Sequence, residues 1–172
     1  YILNEKELSA ARELNPLTKL PGNVSIEEAI SRILEEESQE KALVYFDFDY
    51  FKPFNDHYGF RQGDRVIVLF AEILRDMMIR FNIFVGHIGG DDFVVVLDPK
   101  DEEKFAYGFI TEFDRIIPTY YAEEDQKNGF IRVKNRRGKP QTFPLMSCSV
   151  AAVTNLHRRY QSLGEISQDV SE

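Results

Sequence analysis

Two glycines followed at once by two acids, Gly89-Gly90-Asp91-Asp92, stand between the apolar runs Ile83-Phe84-Val85-Gly86-His87-Ile88 and Phe93-Val94-Val95-Val96-Leu97. Runs rich in β-branched and aromatic residues, joined by a short glycine-containing segment, read as a β-hairpin. A solvated hairpin tip needs only one residue at positive φ and one polar neighbour. A second glycine and a second carboxylate do more, because they let a bulky ligand approach the backbone beside fixed negative charge. The alternative is an acidic surface turn.

A second acidic stretch removes that turn from isolation. Ala42-Leu43-Val44-Tyr45 reads as a buried strand that ends in Phe46-Asp47-Phe48-Asp49, and Phe51, Phe54 and Tyr58 beyond it keep helical spacing. The acids therefore fall at a strand-to-helix junction. Free N–H groups at such a helix start favour phosphate, and carboxylates beside them can hold the Mg²⁺ that accompanies it. Asp47 and Asp91, brought together at adjacent strand ends, would make a pair of metal ligands for nucleotide chemistry. Asp49 has a second reading, as the cap of the following helix.

Four ordered motifs now resemble a known family, the GGDEF (diguanylate cyclase) domain. They are Asn15-Pro16-Leu17-Thr18-Lys19-Leu20-Pro21-Gly22-Asn23, the Asp47 to Asp56 run, Tyr58-Gly59-Phe60-Arg61-Gln62-Gly63-Asp64, and the Gly-Gly-Asp-Asp-Phe turn. The resemblance covers the chain from about Asn15 onward. It implies an α+β, palm-like, ferredoxin-related fold with a mostly antiparallel sheet flanked by helices. It also implies condensation of two GTP molecules to cyclic di-GMP with loss of pyrophosphate, in a homodimer of domains.

On the same resemblance Asp47 and Asp91, with the backbone carbonyl of Phe48, would hold two Mg²⁺ ions per half-site, with Mn²⁺ an acceptable substitute. Asp91, Asp92 and Asp47 are the catalytic candidates. Tyr50, Phe51 and Lys52, with Gly89 and Gly90, are expected around the phosphates, and Asn55 with Asp64 on the guanine edge. A carboxylate can accept two N–H bonds from guanine that adenine does not offer, and a site of matched polar groups discriminates strongly. Without the motifs, Asn55 would read as a helix-end residue and Asp64 as an N-cap.

Three positions depart from the family pattern. Asp92 stands where Glu is usual, one methylene shorter. Arg80 keeps the arginine of the inhibitory product site, but Ile83 replaces its aspartate. The C-terminal helix whose Lys and Arg clamp the phosphates is not recognisable. A catalytically weak, GTP-binding regulatory domain controlling an attached domain, such as a phosphodiesterase, is therefore the alternative. A dimerisation domain without ligand is a third.

Composition narrows the partners. The 172 residues suffice for one domain with a sizeable core. A net charge of −8 argues against a non-specific nucleic-acid binder. A single cysteine, Cys148, excludes an intrachain disulfide and fits a reducing, cytoplasmic setting. No run approaches membrane-spanning length, so no membrane contact is expected.

Along the chain, residues 1–14 read as a helical lead-in and 15–172 as the domain, cut short at its C-terminus and part of a larger protein. Ser25 with Glu28 suggests a capping box before an apolar stripe of Ile26, Ala29, Ile30, Ile33 and Leu34. A long helix from about Gln62 to Arg80 should turn Val66, Leu69, Phe70, Ile73, Leu74 and Met77 inward. Phe105, Phe109, Phe113 and Ile116 line another, ended by Pro118. Ala122 to Asn128 reads as a loop. Gly129 to Val133 and Gln141 to Phe143 read as a hairpin through the basic Asn135-Arg136-Arg137-Gly138, a solvated edge or a contact for a phosphate or partner. Its last strand is expected to run on from Leu145 to Val153, with a final helix begun at Ser162 and Glu165.

Overall fold

A computed structural model describes residues 13–35, 40–134 and 137–155. The elements follow in the order α1 (Asn23–Glu35), β1 (Ala42–Asp49), α2 (Phe51–Tyr58), α3 (Phe60–Arg80), β2 (Phe84–Gly89), β3 (Asp92–Leu97), α4 (Glu102–Ile116), α5 (Glu123–Asn128), β4 (Phe130–Lys134), β5 (Pro140–Pro144) and β6 (Ser147–Thr154). Strands β2-β3-β1-β6 form one sheet, antiparallel at every pair, and β4-β5 form a separate two-stranded ribbon. This is the α+β architecture expected.

Strand β1 lies at the centre of the sheet and its two faces go to two cores. Val44, Phe46 and Phe48 point to one side with Phe70, Phe93, Phe105, Phe109 and Phe113; Leu43 and Tyr45 point to the other, with Ile26 and Ile30 of α1. Helices α3 and α4 cover the aromatic side. Phe70 is its hub, with ring centroids 4.4 Å from Phe48, 4.7 Å from Phe93 and 4.6 Å from Phe109. The aromatic row of α4 is core, as its spacing indicated, and the six inward residues expected of α3 are all buried.

Four local expectations change. The Ser25–Glu28 capping box does not form: α1 begins two residues earlier, and the Ser25 N–H and hydroxyl both donate to the Glu13 carboxylate, at 3.0 and 2.7 Å. Helix α3 begins at Phe60, so Asp64 lies inside it and is not its N-cap. Glu123–Asn128 is a helix, not a loop, closed by Gly129 at φ 73. Strand β5 does not continue into β6. The Met146 N–H leaves the ladder to donate to the Tyr121 hydroxyl at 2.8 Å, and the chain changes sheets there. The lead-in helix up to Arg12 and the final helix at Ser162 and Glu165 lie outside the described residues. No helix among the described residues is long and apolar enough to cross a membrane.

Candidate active site

The alternation that buries Phe46 and Phe48 puts Asp47 and Asp49 together on the opposite face, at the end where β1 leaves the core. Asp49 is occupied. It pairs with Ser147 across β6, and its Oδ2 accepts from the Ser147 and Ser149 hydroxyls at 3.0 and 2.8 Å. It does not cap α2, whose N-cap residue is Tyr50 without any side-chain hydrogen bond.

Asp47 is exposed and faces the hairpin tip. The β1–β3 register runs from Ala42 opposite Leu97 to Tyr45 opposite Val94. Carried on two residues, it brings Asp47 opposite Asp92. The tip itself is a two-residue turn, with Gly90 at φ 58 and Asp91 at an ordinary negative φ, the pattern of a type II′ hairpin. A bulge at Ile88 separates the His87–Phe93 and Gly89–Asp92 pairs.

Burial pushes the Asp92 carboxyl above its ordinary value, and the neighbouring Asp91 and Asp47 carboxylates push it the same way. The acids of the strand end and of the turn thus share one electrostatic neighbourhood. No described Lys, Arg or His forms an ion pair with any of the three. Among the described residues no three His, Cys, Asp or Glu side chains close around a common point. The donor set is hard oxygen with an unneutralised charge. It suits a cation such as Mg²⁺ that takes one or two carboxylates and fills its remaining positions with substrate phosphate and water.

Beside these acids opens a cleft of about 890 Å³, lined by Phe48, Tyr50, Phe51, Lys52, Asn55 and Asp91 from the expected site. Asp47, Asp92, Gly89 and Gly90, expected at the same site, do not line it. Tyr50 sits at φ 66, a left-handed conformation that a tyrosine adopts at a cost and that reverses the chain between β1 and α2. Phe51 and Lys52, which open α2 and whose N–H groups have no acceptor within the helix, line the cleft. Lys52 Nζ rests 2.9 Å from Asp56, an exposed pair worth about 0–1 kcal/mol and readily surrendered to a phosphate.

Asn55 packs against Gly63, and Asp64 is the next residue along α3. The Asn55 Oδ1 is buried without a hydrogen-bond partner and lies where a side chain on Gly63 would begin, 1.9 Å from an ideal Cβ. The Asp64 carboxylate instead lines a smaller depression of about 360 Å³ with Leu17, Arg61, Arg65 and Tyr120.

The far wall of the main cleft is formed by the hairpin read as a solvated edge or as a contact for a phosphate or partner, none of whose residues is among the candidate site residues. Val133, Lys134, Gln141 and Phe143 of the β4-β5 ribbon line it, and the Phe143 ring lies 6.3 Å from that of Tyr50. The signal was present in the alternation of Ile131, Val133 and Phe143, an apolar face that a solvated edge hairpin has no use for. Helix α2 is also anchored from behind. The Tyr58 hydroxyl donates to Asp125 and accepts from the Ala122 N–H at 3.0 Å, while His57 lies 3.3 Å from the same carboxylate. Burial, then Asp125, pushes the Tyr58 phenol up to about 12. Cys148 is buried with its thiol pushed far up, the state of a packed strand residue and not of a nucleophile.

The sequence model described as "Diguanylate cyclase, GGDEF domain" matches residues 13–127. The chain is similar to diguanylate cyclase TpbB of Pseudomonas aeruginosa strain UCBPP-PA14, 34% identical over 102 residues that cover 56% of this chain and 23% of TpbB. It therefore spans less than a quarter of that relative's length. Among solved structures it resembles diguanylate cyclase SiaD of Pseudomonas aeruginosa in complex with its activator SiaC, with TM-score 0.68 and 22% identity over 95% of this chain and 57% of the other. It also resembles the coiled coil and GGDEF domain of DgcB from Caulobacter crescentus in complex with c-di-GMP, with TM-score 0.68 and 17% identity over 96% and 80%. At such identities the structural likeness is one of fold.

Proposed function

This chain belongs to the GGDEF (diguanylate cyclase) domain family, and on that premise we propose that it condenses two GTP molecules into cyclic di-GMP as one half of a pair of identical domains. The observation that supports the proposal is the electrostatic influence of Asp47 and Asp91 on Asp92, beside a cleft that Asp91 lines together with Lys52 and Asn55. In each of two successive steps a ribose 3′-hydroxyl gives up its proton to solvent and its oxygen bonds to the α-phosphorus of the facing nucleotide. The bond from that phosphorus to the bridging oxygen breaks, and pyrophosphate leaves with the electron pair. One half-site presents only one nucleotide, so ring closure needs the second domain facing the first.

Asp47, Asp91 and the Phe48 carbonyl are the groups that would hold Mg²⁺, two ions in each half-site, with Mn²⁺ as a substitute. When bound, the metal would activate the attacking hydroxyl and stabilise charge on the phosphoryl oxygens. Tyr50, Phe51 and Lys52 receive the β- and γ-phosphates through backbone N–H groups and one ammonium, with Gly89 and Gly90 keeping the approach open. Asn55 reads the guanine edge: its Oδ1, buried against Gly63 without a donor, is costly there, and turning the amide outward to accept a purine N–H in the cleft relieves it. On the family resemblance Asp64 would read the same edge, although it lines the smaller depression and not the cleft. Asp92 carries the charge that Glu carries elsewhere in the family, set one methylene further back.

That shortened reach, together with the separate depression occupied by Asp64, favours a second reading, in which the domain binds GTP with little turnover and regulates an attached domain. One experiment separates the two. The full-length protein is incubated with GTP and Mg²⁺ and assayed for cyclic di-GMP, with Asp91→Ala as control. Loss of one such carboxylate should lower the rate by about 10²–10³ or more. Product that disappears in the control supports the cyclase; GTP binding without product supports the regulator; absence of nucleotide binding removes both. Ile83, half-buried against the core, offers no carboxylate to a product bound at Arg80, so turnover should continue as product accumulates.

A further inference from the structure

Two polar side chains are buried in the described part of the molecule, Thr18 at 3% and His87 at 2% exposure, and they are bonded to each other. The Thr18 Oγ1 lies 2.8 Å from His87 Nδ1, and the His87 Nε2 lies 2.9 Å from the Gly90 carbonyl oxygen. The ring is stacked on Phe93 at 4.1 Å and 6°, and the His87 N–H donates to the Pro21 carbonyl at 2.9 Å. The imidazole thus ties three parts together: the 15–22 loop, strand β3 and the turn between the two acids and β2.

Chemistry decides which nitrogen carries the proton. A carbonyl oxygen only accepts, so the hydrogen of a neutral ring sits on Nε2 and is donated to Gly90. Nδ1 is then bare, and the Thr18 hydroxyl donates to it. Burial lowers the His87 pKa, against smaller opposing effects of the Gly90 carbonyl and Asp92, so the neutral ring prevails near pH 7. The bond matters because of where it ends. Gly89 at φ 154 and Gly90 at φ 58 have nothing within 4 Å of where a Cβ would be, so no packing around a side chain adds to the Gly89–Asp92 ladder pair in holding the turn. Gly90, beyond that pair, would let Asp91 sample a wide range of positions.

We propose that His87 is a positioning residue for the acidic turn: its Nε2–H holds the Gly90 carbonyl and so presents Asp91 toward Asp47, while Thr18 holds the ring. This rests on reading those acids as the metal site of a GTP-binding domain. The side-chain geometry offers two partial mimics. Asn at position 87 places an amide near Nδ1, able to meet Thr18 but too short for Gly90; Gln reaches Gly90 but not Thr18.

The test measures GTP affinity with Mg²⁺ and with EDTA on the full-length protein. The quantity of interest is the tightening that Mg²⁺ produces. His87→Asn should reduce that tightening about tenfold, the order of a single well-placed hydrogen bond, and leave the EDTA affinity unchanged. His87→Gln should retain it, as should Thr18→Ser, which keeps the hydroxyl. Equal losses in His87→Asn and His87→Gln would mark a packing defect and overturn the proposal. So would unchanged tightening in both. Wild-type protein that does not bind GTP, or binds it without regard to Mg²⁺, refutes the reading of the site and this inference with it. A measurement free of nucleotide guards against misfolded variants: long-range ¹H–¹⁵N correlation on the wild type should show the Nε2-protonated tautomer of His87 at neutral pH. The Nδ1-protonated form would refute the geometry, whatever the ligand.

Discussion

Gly63→Ala is the sharpest probe of the base-reading corner. In a helix interior alanine is ordinarily favoured over glycine by about 1 kcal/mol. Here the new Cβ would lie 1.9 Å from Asn55 Oδ1 and 2.9 Å from its Cγ, inside the 3.0 Å that real Cβ contacts respect. The methyl group is fixed to the backbone of α3, so the Asn55 amide must move by more than an ångström. Forcing a side chain off its rotamer costs about 0.5–1.5 kcal/mol, which offsets the gain in helix propensity and leaves net stability within about 1 kcal/mol of wild type. Binding is not spared. A guanine edge left without its partner loses about 1–3 kcal/mol, roughly tenfold to a hundredfold in affinity. Titration calorimetry with GTP and ATP, alongside thermal melting, measures both quantities. The double-mutant cycle is decisive. In an Asn55→Ala background, Gly63→Ala should cost no further affinity and should recover the helix-propensity gain. Unchanged GTP affinity and GTP-over-ATP preference in Gly63→Ala, or additive losses in the double variant, would refute the reasoning.

Other outcomes follow from the same geometry. Asp92→Glu restores the missing methylene and should raise cyclic di-GMP formation about tenfold or more, while GTP affinity stays within about threefold, which steady-state rates and calorimetry will separate. Lys134→Glu places a negative charge on the ribbon wall of the cleft and should weaken GTP binding more than guanosine binding, by about tenfold at low salt, with the gap closing as salt is added. The folded state resists protonating His87, so the unfolded chain gains a proton first as pH falls through about 6.5, the ordinary value of the ring. Its contribution to stability is complete above that pH and is lost progressively below it, toward the lowered folded value. Asp92, held above its ordinary value of 3.8, acts in the opposite direction at lower pH. Urea unfolding in EDTA at pH 7.5 and 5.5 should therefore show a fall in stability that His87→Gln removes; an equal fall in the variant would assign the effect elsewhere.

Much of this molecule was legible in one dimension because its signals are local. Short apolar runs rich in β-branched and aromatic residues located β1, β2 and β3, and period-three-to-four apolar spacing located α3 and α4 together with the residues they bury. The Gly-Gly-Asp-Asp segment announced its own turn, since positive φ at Gly90 is a property of one residue. Where the reading went astray, a distant partner had overridden a local preference. Ser25 looked like a cap for Glu28, yet it bonds to Glu13, twelve residues earlier. Asp49 looked like a cap for α2, yet it bonds to serines on β6, about a hundred residues later. The polar segment after Ala122 became helix because Tyr58, on another element, claims Asp125 and the Ala122 N–H.

The residue types of the candidate site, and the strand end and turn that carry them, were determined by the sequence alone. Only the tertiary structure decided that Asp47 lies close enough to the turn to act on Asp92, that Asn55 seats on the bare face of Gly63, and that the β4-β5 ribbon walls the cleft. Each of these depends on sheet register or on packing between elements far apart in the chain. Such contacts are selected by burial and by the satisfaction of polar groups across the whole core, and no window of neighbouring residues contains that information.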